Sequence, residues 1–244
     1  MQQKGLSRDA IKYIAMLTML LNHISTVFMQ PGHLLSELFL DIGYFTAITM
    51  CYFLVEGYRY TRSKKRYALR LGIFALLSEI PYCLAMTEGG ILEFCGMNML
   101  FTLLLCFCIL LVLDKVQNRA FKVLLIAGLT ALSLFSDWAL LAPVFTLLFA
   151  WSTGSKGKTK AAFALSALLF GLMSYAGGIG RFSAGVNLLY AAGCMAGILL
   201  AGIVIVYFYN GKRAERGRNF SKWFFYLFYP VHLLVLGIIR IALL

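Results

Sequence analysis

A chain of 244 residues that is 61% hydrophobic and only 13% charged is too apolar for a water-soluble domain, which carries roughly a quarter charged residues. Its apolar residues gather in runs close to the ~20 needed to cross a hydrocarbon core, and in lipid every backbone polar group must pair internally, so only helices or a closed barrel remain. The formal charge of +12 then reads as lysine and arginine in cytoplasmic loops rather than as a nucleic-acid surface, and no nucleic-acid partner is expected.

The runs are rich in Leu, Ala, Phe and Met and do not alternate polar with apolar, so helices are favoured over strands. The expected fold is an all-α, polytopic transmembrane helical bundle of about nine helices in a single domain, 1–244. The first span, 9–29, carries Asn22 and His23 and no small-residue cleavage site, so a cleaved signal peptide is not expected. His23 lies roughly 21 Å along that helix at 1.5 Å per residue, just beyond the midplane. An ionisable group there costs about 2.5 kcal/mol or more unless it faces the protein interior and is paired. His23 is either hydrogen-bonded to a neighbouring helix for structure, or a general base or acyl carrier, since imidazole titrates near neutral pH.

The second span, 37–57, ends at Glu56, Arg59 and Arg62, where the densest basic loop begins. That rim is either a topology signal or a site for a polyanionic cofactor, because arginine forks grip phosphates. The third span, 66–86, holds Glu79 and then Pro81. Glu79 reaches nearly the depth of His23 and would serve either in a structural ion pair or as a carboxylate that orients an imidazole. Span four, 97–114, opens with Asn98, with Thr102 four residues on. Spans 120–135 and 138–152 flank Asp137 and Trp138, and form one bent hairpin or two short crossings; Trp138 reads as an interfacial anchor.

Spans 159–176 and 185–208 follow, the latter with Gly193, Gly197 and Ala201 at four-residue spacing, a smooth face for close helix packing. The last span, 221–243, places Tyr229 and His232 on one face, with Pro230 between them expected to kink the helix and free a carbonyl. His33 sits in a Pro-Gly loop and is read as incidental.

Charge asymmetry tests these spans. With the N-terminus inside, all but Arg181 and Arg240 of the 22 lysines and arginines fall on cytoplasmic segments, from Lys4, Arg8 and Lys12 through Lys156, Lys158 and Lys160 to Arg216, Arg218 and Lys222. Glu37, Asp41, Glu88, Glu93 and Asp137 fall outside. An odd number of crossings, with the N-terminus cytoplasmic and the C-terminus outside, follows from that alternation. The six cysteines lie mostly within apolar spans without metal-ligand spacing, so neither a metal nor a disulfide framework is expected.

Several stretches carry a likeness. "IKYIAMLTMLLNHIS", "FLVEGYRYTRSKKRYALRLGIFALLSEIPYCLAM", "NMLFTLLL", "DWALLAP" and "YPVHLL" together resemble the TraX family in order, across nearly the whole chain. That family takes its name from the conjugal-transfer protein that acetylates the N-terminus of F-type pilin in the inner membrane. It is more distantly similar to transmembrane acyltransferases that modify extracytoplasmic glycans and likewise carry a first-helix histidine.

The resemblance implies a bacterial inner-membrane acyltransferase. Acetyl-CoA or another acyl-CoA would be the donor, and a pilin, peptide or glycan amine or hydroxyl at the outer face the acceptor. On that reading His23 and Glu79 are catalytic, and Asn22, Asn98, Asp137, Tyr229 and His232 line the acceptor site. Glu56, Arg59 and Arg62 hold the donor. The family pattern sets a Gly-Arg pair followed by Phe-Pro in helix two, where this chain has Gly43, Tyr44 and "FTAITM"; a different acceptor, or lost activity, follows if that arginine binds substrate. Two other functions remain from the residues alone. One is a proton-coupled transporter or flippase, although no inverted repeat is visible. The other is a non-enzymatic assembly factor whose polar residues are packing glue.

Overall fold

Serine and asparagine side chains start the helices where the apolar runs begin. Ser7 accepts from the Ala10 amide at 3.2 Å, Ser63 from Arg66 at 3.2 Å, Asn118 from Phe121 at 3.0 Å and Ser155 from Lys158 at 3.3 Å. Each satisfies one of the amides a helix start leaves orphaned. The computed structural model describes residues 5–214 and 217–244; Lys4, Arg216 and the Arg218 side chain, counted above as basic loop residues, lie outside the described residues.

Nine α-helices are present among the described residues: α1 (Arg8–Phe28), α2 (Leu34–Tyr60), α3 (Lys64–Met86), α4 (Met99–Lys115), α5 (Arg119–Leu132), α6 (Leu141–Ser152), α7 (Lys156–Gly178), α8 (Ala184–Ile203) and α9 (Arg218–Ala242). A short 3-10 turn, Ser133–Phe135, extends α5, and a π-helical turn, Val204–Phe208, extends α8. No strand occurs among the described residues, only the isolated bridges Leu6–Tyr209 and Met97–Ser136.

The all-helical expectation holds, and the chain is a multi-pass membrane protein. Six helices (α1, α2, α3, α7, α8 with its π turn, and α9) are long and apolar enough to cross a membrane. The other three are shorter than a full crossing: α4, α5 and α6 have 17, 14 and 12 residues, against the ~20 a crossing needs. Around Asp137 the chain forms two short helices, α5 and α6, with the 3-10 turn between them. α5 buries none of its residues.

The chain forms two compact units, Met1–Thr49 with Ser152–Phe225, and Met50–Trp151 with Tyr226–Leu244. In the first, α1 and α2 are joined by polar contacts along one seam: Thr18 to Thr46 at 2.9 Å, Asn22 Nδ2 to the Leu40 carbonyl at 3.1 Å, and Ser25 to Ser36 at 2.7 Å. Such bonds hold helices where lipid removes the hydrophobic drive between them. Small residues do the rest. Gly43 lies against Asn22, Gly193 against the Asp41 carboxylate, Gly197 against the Asp41 carbonyl, and Gly202 against Phe163. The Gly193–Gly197 face thus packs α8 on α2. Tyr13 of α1 bonds Ser221 of α9 at 3.0 Å and leans on Phe224 and Phe225.

In the second unit α4 supplies the centre, with Cys106, Phe107 and Ile109 fully buried. Tyr58 of α2 and Tyr67 of α3 both meet the Phe107 ring edge-on, at 5.2 and 5.0 Å. Tyr52 packs on Phe149 of α6 at 5.4 Å. Gly237 lets α9 approach Leu84 of α3 closely, and Phe74 stacks on Tyr226 at 4.8 Å.

Candidate functional site

The second unit gathers five of the expected site residues around the start of α4. Asn98 is fully buried and is the N-cap of α4, its Oδ1 accepting from the Leu100 amide at 3.0 Å. Its Nδ2 donates to Glu79 Oε2 at 2.6 Å and to the Ala75 carbonyl at 2.7 Å, and its backbone N–H also donates to Glu79 Oε2 at 3.2 Å. All of its hydrogens are committed within the protein. Glu79 is therefore fixed by one oxygen, while Oε1 is buried with no protein partner. A buried carboxylate oxygen left without a partner calls for an explanation outside the protein's own hydrogen bonds, such as water or a ligand.

Tyr229 of α9 meets the same helix start. The Tyr229 hydroxyl accepts from the Met99 amide at 3.3 Å, and Tyr229 is 4% exposed. His232, one turn on, has its ring 5.8 Å from that of Tyr229 and stacks on Phe228 at 4.8 Å. Its Nδ1 lies 2.7 Å from the Phe228 carbonyl. A carbonyl only accepts, so Nδ1 carries the hydrogen.

Asp137 sits in the α5–α6 turn, which is stitched to the entry of α4. The Met97 amide donates to the Phe135 carbonyl at 2.8 Å, and the Asp137 amide returns a bond to the Met97 carbonyl at 2.8 Å. The Thr102 hydroxyl reaches the Asp137 carbonyl at 2.6 Å and Ser136 at 3.0 Å. These bonds hold Trp138 and Leu140 in the left-handed region, with φ of 57° and 59°, a conformation that persists only where surroundings over-determine it. The Asp137 carboxyl is enclosed although the residue keeps some surface. Burial pushes it from 3.8 up to about 6, partly countered by the Trp138 amide donating to it.

Arg240, an exception to the charge rule, has a structural reason for its place. Its guanidinium donates to the Leu84 carbonyl at 2.9 Å, Gly90 at 3.2 Å and Ile91 at 2.9 Å, and it is 9% exposed. It caps the C-terminal end of α3 and pins the α3–α4 loop. Its sequence signal was an arginine inside an apolar helix, away from every basic rim. Thr102 and Ser136 extend the hydrogen-bonded set at the start of α4 that Asn98, Glu79 and Tyr229 outline.

The basic rim lies at the other end of α3, 15 residues before Glu79 at Lys64, about 22 Å at the helical rise. Arg59 and Arg62 are exposed there. Arg59 also stands in the last turn of α2, where a cation suits the helix dipole. Lys64 lies 3.6 Å over the Tyr58 ring and donates to the Tyr58 carbonyl, and the Tyr58 hydroxyl donates to Asp114 at 3.0 Å. Glu56 is half-buried one turn before the rim.

Asn22 and His23 belong to the first unit. Asn22 uses Nδ2 on α2 and lies against Gly43, so the glycine of the departing Gly43–Tyr44 pair admits it. Tyr44, where the family pattern sets an arginine, meets Phe170 edge-on at 4.8 Å. His23 is buried, on the α1 face that carries Met16 and Met19. Asp41 of α2, read from sequence only as an outer acid, packs against Gly193. Among the described residues no group of three or more His, Cys, Asp or Glu could hold a metal.

Residues 7–240 match the family described as TraX protein. The chain is also 31% identical over 232 residues to the probable fimbrial assembly protein FimC, serogroup H1, of Dichelobacter nodosus, an alignment covering 93% of this chain and 92% of that one. No solved structure matches it.

Proposed function

Because this chain belongs to the TraX family, we propose that it is an acyltransferase of the bacterial cytoplasmic membrane, moving an acetyl or other acyl group from acyl-CoA to an amine or hydroxyl at the outer face. The fimbrial-assembly relative supports a pilus-related acceptor, a pilin or peptide terminus ahead of a glycan. The observation that carries the reading is Glu79, a carboxylate inside an apolar span, fixed by Asn98 through one oxygen and left with the other buried and unpartnered. A residue kept only for packing gains nothing from that arrangement, since an unsatisfied buried acceptor is costly.

In the proposed reaction the acceptor nitrogen or oxygen attacks the thioester carbonyl, its proton passes to His23, the C–S bond breaks, and the CoA sulfur leaves and takes up a proton. Glu79 supplies negative charge that stabilises positive charge developing on the acceptor. Tyr229, His232, Asp137 and Asn98 line the acceptor side, and Glu56, Arg59 and Arg62 the phosphate-bearing donor end.

Purified protein incubated with labelled acetyl-CoA and membrane fractions is expected to label a pilin, peptide or glycan product. His23→Ala is expected to cut the rate by about 10²-fold or more, the usual contribution of a general base, and Glu79→Gln to cut it as well. Labelling by His23→Ala at the wild-type rate overturns the catalytic assignment. The relative's name also favours a second reading, a non-enzymatic assembly factor. Under it, cells carrying a folded His23→Ala protein assemble pili normally and no acyl transfer is detected in the wild type.

A further inference from the structure

One end of the α7–α8 hairpin concentrates positive charge without a counter-charge among the described residues. Lys156 and Lys160 stand one turn apart on α7, and their ammonium groups lie 5.5 and 4.9 Å from the ring of a single residue, Tyr207. Like charges one turn apart destabilise a helix, and α7 has no acidic residue in its first turn. The acids described in this unit are elsewhere: Asp9 is buried and accepts from the Ala214 amide, Glu37 binds the Gly32 amide, and the Asp41 carboxylate packs against Gly193.

Tyr207 itself lies on the π-helical turn Val204–Phe208. Such turns are rare and concentrate at functional positions, because the extra residue re-aims the side chains beyond it. The ring is 61% exposed, and the surface continuing from it along the hairpin is apolar: Ile203 is 50%, Leu200 45% and Leu168 49% exposed. Two ammonium groups and a phenolic O–H therefore crown an exposed aliphatic face at a helix end, where headgroups meet acyl chains.

We propose that Lys156, Lys160 and Tyr207 form a headgroup site for an anionic phospholipid. The phosphate oxygens lie between the two ammonium groups and accept from the Tyr207 hydroxyl, and the acyl chains run along Ile203, Leu200 and Leu168. Charge complementarity selects an anionic lipid over a zwitterionic one, whose choline or ethanolamine brings back a positive charge. The apolar face selects a lipid over free phosphate. The site is independent of the acyl-transfer reading.

The test uses the full-length protein, delipidated in detergent and then given phosphatidylglycerol, phosphatidylcholine or inorganic phosphate at matched concentration. Retained lipid is counted by native mass spectrometry. Wild type is expected to retain phosphatidylglycerol and not phosphatidylcholine, and inorganic phosphate is expected neither to bind nor to displace the lipid. Lys156→Gln with Lys160→Gln should lower retention roughly 30-fold, since each of the two basic residues near an anionic headgroup contributes on the order of 1 kcal/mol and 1.4 kcal/mol is tenfold. Lys156→Arg with Lys160→Arg should keep it. If the glutamine variant does not fold, raising salt on wild type must release phosphatidylglycerol. Equal retention of the two lipids, equal retention by the glutamine variant, salt-insensitive binding, or displacement by inorganic phosphate overturns the proposal.

Discussion

Replacing Asn98 removes the α4 cap and a side-chain donor to Glu79 in one step. Loss of a cap costs about 1 kcal/mol and loss of a hydrogen bond to a charged group about 1.5–3 kcal/mol. Asn98→Ala is thus expected to lower the thermal midpoint in detergent, read by intrinsic fluorescence. Asn98→Asp keeps the cap but sets a second carboxylate against Glu79, and at pH 7 it should be no more stable than the alanine variant. A wild-type midpoint for Asn98→Asp contradicts the pairing.

Asp137 makes a signed pH prediction. Its folded carboxyl titrates at about 6 against 3.8 for the ordinary group, so the folded state holds the proton more tightly than the unfolded chain. Its contribution to stability is then full below about pH 4, is lost as pH rises through about 6, and is flat above. Asp137→Asn removes this slope; the difference between the two proteins' Tm values across pH 4 to 7 measures it. Arg240→Met leaves the Leu84, Gly90 and Ile91 carbonyls without their cation. Faster hydrogen exchange and proteolysis confined to residues 87–97 are expected, and unchanged protection there would show that the guanidinium does not pin the loop.

At the scale of elements, glycine decides which helices approach. A side chain at Gly197 meets the Asp41 carbonyl and Tyr44, whereas a Cβ at Gly128 on α5 meets nothing within 4 Å. Gly197→Leu is expected to part α2 from α8 at about 1–3 kcal/mol or more. Gly128→Ala should stabilise α5 by about 0.5–1 kcal/mol, because glycine weakens a helix interior and no contact is lost. Thermal unfolding of the two variants side by side checks both signs. If Gly197→Leu is neutral, the Gly193–Gly197 face does not pack α8 on α2.

For the molecule as a whole, the sequence showed the apolar runs well because lipid imposes them. A buried run in water can be short and mixed, but a span must be long and apolar over its whole length. The nine expected segments accordingly match the nine helices of the described residues, their ends differing by up to five residues, while the turn around Asp137 is set by hydrogen bonds to Met97 and Thr102 rather than by local propensity. The membrane orientation expected from the basic loops has its own test. A periplasmic-type phosphatase fused after Leu244 should be active, and a cytoplasm-dependent fluorescent protein at the same place dark; the reverse pattern overturns the orientation.

Of the site, individual polar residues were legible because an ionisable or amide side chain within an apolar run is conspicuous on composition alone. That singled out His23, Glu79, Asn98, Asp137 and His232, together with the all-helical class and the family. Only the tertiary structure decided what those groups touch. It committed every Asn98 hydrogen inside the protein, left Glu79 Oε1 without a protein partner, and made Arg240, an exception to the charge alternation, a clamp on three carbonyls. Hydropathy reports the solvent each residue must tolerate, a one-dimensional property. Hydrogen-bond partners come from helices distant in sequence, brought together by packing.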